Sequence, residues 1–199
     1  MMNSKPYSES CDQNRNPIFK VIEPLFCDKK SVLEIGSGTG QHAVYFAKKM
    51  PHLIWHCSDQ IEYHHGINLW LNEASLKNAP PPIPLNVSED SWPKMDVDAI
   101  FSANTVHIMS WRNVIDFIEN AYKLLNKNGL LVLYGPFNYN NTYTSESNAR
   151  FDHWLKDRDP KSGIRDFEAL DNLAKNSGLQ HISDTQMPAN NRILCWQKK

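Results

Sequence analysis

The stretch "VLEIGSGTGQHAVYF" occupies Val32–Phe46. An apolar run enters glycines at 36, 38 and 40, and an amphipathic segment leaves them. Such a sequence is a buried strand, a tight turn and the first turns of a helix. Missing Cβ atoms let a ligand approach the backbone, and the helix aims its free N–H groups and positive end at it. The spacing separates the candidates. A dinucleotide fingerprint, GxGxxG, requires glycine at 41, where Gln41 stands. No GK[ST] follows to make a phosphate-binding P-loop.

Outward from the loop, strands and helices alternate. Asn16–Pro17 reads as a cap and first helical position, with Ile18, Val21, Ile22 and Leu25 forming the apolar stripe of a helix over 17–26. Strands are expected at 31–35, 53–58, 83–87, 97–104 and 130–137, with helices near 41–50, 62–76, 114–125, 145–156 and 166–177. Two final strands, 179–185 and 192–197, are separated by residues 186–191. That gap is too short for a parallel crossover, so they form an antiparallel hairpin. The fold class is therefore α/β: a doubly wound, mostly parallel seven-stranded sheet with a C-terminal antiparallel hairpin strand. All 199 residues read as one domain, with an irregular N-terminal arm at 1–16 and a substrate-lid insertion at 136–165.

Composition removes several function classes. The chain carries 21 Lys+Arg against 22 Asp+Glu without a block of like charge, so bulk electrostatics favour neither nucleic acid nor membrane. The first 30 residues lack a signal-peptide core, and the longest aliphatic-rich run, at 130–134, falls far short of the ~20 residues of a membrane span. Four scattered cysteines without a CxxC pair fit a reducing compartment better than disulfides or zinc. His64 and His65 are adjacent, and neighbouring helical side chains diverge by about 100°. A cytoplasmic, metal-free protein is expected.

The pattern acid-x-G-x-G-x-G, here Glu34, Gly36, Gly38 and Gly40, resembles the S-adenosylmethionine (SAM) signature of class I methyltransferases. Cofactor contacts are expected from Glu34, Gly36, Ser37, Gly38 and Gly40, with Glu34 near the methionyl ammonium. Asp59, 19 positions past Gly40, accepts from ribose hydroxyls or caps the next helix. Asn86 reads the adenine edge or makes a turn, and Asn104 closes strand four near the cofactor. Arg15 grips the methionyl carboxylate or makes a surface ion pair. His107 is a candidate general base, or packs on the cofactor, and Tyr139 is a second catalytic candidate. Tyr7, Asn14, Phe137, Asn138, Asn190 and Asn191 are expected in the acceptor pocket. Neither [DNS]PP[YFW] nor a Pro-Cys pair occurs after strand four, which lowers DNA-adenine, protein-glutamine and cytosine-C5 methylation.

Together "SESCDQNR", "FSANTVHIMSW", "YGPFNY", "SESNARFDHWL", "GIRDFEALD" and "MPANN" resemble the methyltransferase-like protein 26 family over nearly the entire chain. The resemblance implies a class I fold and a SAM-dependent methyltransferase releasing S-adenosylhomocysteine, without fixing the acceptor. A small-molecule O or N nucleophile leads. A protein acceptor, a non-catalytic SAM-binding protein and an NAD(P) oxidoreductase stay open.

Overall fold

The computed structural model describes residues 5–199. Strands β1 (Ser31–Ile35), β2 (Ile54–Asp59), β3 (Ile83–Pro84), β4 (Val97–Ala103) and β5 (Leu125–Gly135) run parallel. Numbering β6 (Phe137–Asn138) and β7 (Arg165–Asp166) next, β8 (Leu179–Gln186) and β9 (Arg192–Lys198) close the chain. The main sheet has the order β3-β2-β1-β4-β5-β9-β8, with β9 antiparallel to both neighbours. The hairpin expected from the short 186–191 gap is thus formed.

Among the described residues six α-helices accompany this sheet: α1 (Glu9–Phe26), α2 (Gln41–Lys49), α3 (His64–Ala74), α4 (Trp111–Leu124), α5 (Glu146–Arg158) and α6 (Phe167–Asn176). Strand alternation divides the core. Leu130, Val132 and Tyr134 of β5 meet α1, α2 and α3, while Leu131 and Leu133 meet α4 and α6. Trp55 anchors the first half against Phe26, Phe46 and Phe101, at ring-centroid separations of 6.4, 5.2 and 5.7 Å.

Three expectations need correction. Helix α1 begins at Glu9, so half of the arm at 1–16 is helical and Pro17 lies inside the helix. An internal proline forfeits a backbone bond, at about 3 kcal/mol. Docking on α2 offsets that: Asn14 bonds His42 at 2.6 Å, Asn16 accepts from Tyr45, and Ile18 and Ile22 are fully buried. Asn16 is therefore an inter-helix contact and not a cap. Strand β3 stops at Pro84, because Asn86 opens a turn whose Oδ1 accepts from Ser88 N. Strand β5 starts at Leu125, and its pairing with β4 shifts register between Val97 and Ala99, beside a left-handed Asn128. The small parallel pair β6–β7 was not foreseen; it ties the ends of the 136–165 insertion together.

Candidate active site

The carboxyl ends of β1, β2, β4 and β5 face one cleft edge, where ligands sit in open α/β sheets. Gly36 has φ +73°, and a Cβ there would lie 2.6 Å from Thr105 Cγ2, so the turn passes hard against the loop after β4. Gly38 also has positive φ, +56°, yet a Cβ there would meet nothing within 4 Å. That open side is the loop's free surface. Asp59 reads the loop from β2: its Oδ2 accepts from Gly38 N at 2.7 Å and its Oδ1 from Gln60 N at 2.8 Å. Each oxygen keeps a lone pair for a further donor. Burial raises its pKa, and the two backbone amides pull it back down.

Glu34 lies beneath the turn with 1% of its surface exposed. Its Oε2 accepts from Trp55 Nε1 at 3.0 Å and Ser37 Oγ at 3.1 Å. Burial pushes its pKa up to about 7, against the lowering pull of those two donors.

The N-terminal segment straps across this region. Pro6 fills a notch at Gly66, its carbonyl accepts from Trp70 Nε1 at 2.7 Å, and Lys5 pairs with Glu73 at 2.6 Å. Ser8 N donates to Gln41 Oε1 at 2.6 Å, and Gln41 Nε2 donates back to Ser8 O at 3.2 Å. Gln41, which breaks the dinucleotide fingerprint, therefore fastens the strap to the first turn of α2.

After β4, Asn104 takes a left-handed φ of +56°, with its N–H donating to Tyr134 O at 2.8 Å. His107 is buried against Phe151, edge-to-face at 5.3 Å, and its Nδ1 has no partner. Burial and the nearby Arg165 guanidinium push its pKa down to about 4, so the imidazole is neutral near pH 7.

The remaining candidates separate. Asn14 and Asn191 come together at the Tyr134 hydroxyl, which burial pushes above the ordinary tyrosine range. Asn190 is bound to the insertion, donating to Ser147 Oγ while its carbonyl accepts from Asn148 Nδ2. Arg15 pairs with Asp12 at 2.6 Å and lies over the Tyr45 ring at 4.9 Å, so it is engaged on α1 and α2. Tyr7 is mostly exposed and donates to the same Asp12. Asn86 has its amide in the turn with Ser88 and Glu89. Phe137 is fully buried in the core half under α4 and α6, while Asn138 holds a buried Oδ1 without a partner. Tyr139 donates to Asp184 Oδ2 at 2.7 Å, and that carboxylate drives its pKa upward after burial has done so. A phenol so held gives up its proton reluctantly.

Sequence reasoning passed over Tyr134, Thr105 and Trp55. Each sits in or beside an apolar strand, where an aromatic or threonine reads as core, and only the assembled sheet shows which strand end it occupies. Among the described residues no helix is long and apolar enough to cross a membrane, and no group of three His, Cys, Asp or Glu could hold a metal ion.

Sheet order, terminal hairpin and glycine turn define the class I methyltransferase fold. Solved structures of that kind superpose on it. An O-methyltransferase family protein from Burkholderia thailandensis has TM-score 0.84 at 13% identity, covering 96% of this chain and 58% of its own. The S-adenosylmethionine-dependent methyltransferase SibL, in its apo form, has TM-score 0.80 at 18% identity, covering 95% and 55%. An O-methyltransferase family 2 protein from Planctomyces limnophilus, complexed with apigenin, has TM-score 0.76 at 14% identity, covering 85% and 51%. The chain thus spans little more than half the length of these proteins. Within that class, residues 5–198 match the family described as "Protein of unknown function (DUF938)", and the chain belongs to it.

Proposed function

We propose that the protein is a SAM-dependent methyltransferase acting on an O or N nucleophile of a small molecule, in the cytoplasm. The methyltransferase-like protein 26 resemblance is the finer family reading. The carrying observation is the glycine turn: its open face at Gly38 lies beside a carboxylate that keeps free lone pairs. These residues fit the cofactor. Asp59 would accept from the ribose hydroxyls, and the exposed Ile61 two positions on offers apolar surface to a flat ring. Glu34 would offset the ammonium from below.

SAM supplies a sulfonium-activated methyl group, so the chain has chiefly to align the acceptor and exclude water. The 136–165 insertion serves as the acceptor lid. Gly163 N donates to His107 O at 2.8 Å, and Arg165 Nε donates to Val106 O at 3.0 Å, bolting it to the loop after β4. His107 holds the acceptor as a neutral hydrogen-bond partner; at a pKa of about 4 it retains little of an abstracted proton near pH 7. Free thiols at all four cysteines support the cytoplasmic placement.

A second reading, a SAM-binding protein without catalysis, is favoured by the same depressed His107 and by the raised Tyr139. Incubation with methyl-labelled SAM and a metabolite extract separates the two. A labelled small molecule and S-adenosylhomocysteine are expected. Binding without turnover would leave the second reading standing, and label on protein would make the acceptor a polypeptide.

A further inference from the structure

Gly135, at the carboxyl end of β5, faces Asn104 Oδ1, an acceptor, and His107 Nδ1, which we take as an acceptor with the imidazole proton on Nε2. A Cβ built there would lie 3.6 Å from Asn104 Oδ1 and 3.6 Å from His107 Nδ1, ordinary contact distances. Both are held in place. Asn104 is set by its left-handed backbone and its bond to Tyr134 O, His107 by Phe151 and by the Gly163–His107 backbone bond. His107 is only 4% exposed, and its Nδ1 has no hydrogen-bond partner, a cost that a native interior rarely leaves uncompensated. Arg165 is the one charge acting on this imidazole among the described residues; no carboxylate supports it as a base.

Resting on the methyltransferase reading, we propose that Gly135, Asn104 and His107 form the acceptor subsite and select a neutral amine. A neutral primary amine brings two N–H groups, one for Oδ1 and one for Nδ1, and keeps a lone pair for the methyl. An alcohol brings one hydrogen and needs a base to become a good nucleophile. A carboxylate or phenolate sets its own lone pairs against two acceptors. Amine chemistry balances without a protein base: the nitrogen lone pair forms N–CH3 while the sulfonium C–S bond breaks toward sulfur. The methylammonium product then yields its proton to water. Gly135 is the specificity position, because any side chain there fills the space the amine must enter.

The test uses 15N-histidine-labelled full chain saturated with S-adenosylhomocysteine. Aniline, a neutral N–H donor at pH 7, is expected to shift the His107 Nδ1 resonance, and benzoate is expected to leave it unmoved. Gly135→Ala should keep its affinity for S-adenosylhomocysteine while weakening the aniline response by about tenfold or more. Asn104→Gly, which keeps the left-handed backbone, should weaken it too. A 13C-methyl product from extract should carry N–CH3. The inference is overturned if Nδ1 is protonated in the free protein, if S-adenosylhomocysteine alone shifts it, if aniline does not, or if the product is O–CH3. Failure of S-adenosylhomocysteine to bind at all would instead overturn the methyltransferase reading.

Discussion

Glu34 makes the glycine turn sensitive to pH. Its carboxyl titrates near 7 in the fold against an ordinary 4.5, because burial penalises the anion. Between those values the folded state binds the extra proton, so its contribution to stability is complete below about 4.5 and lost as pH rises through about 7. The span corresponds to roughly 3 kcal/mol at most. Gln in its place keeps an acceptor for Trp55 and Ser37 without the charge. Urea unfolding of wild type and Glu34→Gln at pH 5 and pH 8 should show the variant gaining relative stability at the higher pH. A difference that does not change with pH would refute this account of the carboxyl. The placement of Glu34, the glycines and Asp59 around one turn was legible in the sequence, because it follows from spacing along a strand–turn–helix–strand unit. The Arg15–Asp12 ion pair, three residues apart on α1, is the surface pair the sequence also allowed, whereas the Tyr139 bond was not legible, because Asp184 lies on a strand that only folding brings near.

At the scale of elements, two segments are tied to the loops at the carboxyl edge of the sheet: the N-terminal strap and residues 136–165. The strap rests on Gly66, where a Cβ would lie 2.6 Å from Pro6 Cγ. Gly66→Ala should raise the helix propensity of α3 by about 1 kcal/mol while pushing Pro6 out of its notch. The two effects oppose in overall stability, so melting temperature is a poor readout. Hydrogen exchange at Ser8 N, whose bond to Gln41 depends on the seated strap, is the sensitive one and should accelerate. Unchanged protection would mean the strap is held elsewhere. The 136–165 segment is fixed from within by Asp152, only 1% exposed, which accepts from Tyr143 at 2.6 Å, Lys156 at 2.6 Å and Ile164 N at 2.7 Å. Asp152→Ala leaves the buried Ile164 N–H without that partner and should cost about 2–4 kcal/mol in urea unfolding. A loss below about 0.5 kcal/mol would place the stability of this segment elsewhere. Boundaries of these segments escaped the sequence for a shared reason. Asn16–Pro17 has the local chemistry of a helix start, and the contacts that extend α1 back to Glu9 come from α2.

For the molecule as a whole, period-2 and helical patterning sufficed for sheet and layers, because each strand sorts its side chains between two helix layers. The terminal hairpin was legible from the length of one loop. The β6–β7 pair was not, since two-residue strands carry no periodicity. Assembly brings the glycine turn, Asp59, the strap and the 136–165 segment to one edge of the sheet, where the proposed cofactor would enter. Calorimetric titration of the full chain with S-adenosylhomocysteine tests that proposal most directly. One-to-one binding is expected, about ten- to a hundredfold weaker in Asp59→Ala, for loss of hydrogen bonds to a charged group. NAD should give no heat. Tight NAD binding with no response to S-adenosylhomocysteine, or full affinity in the Asp59 variant, would contradict it.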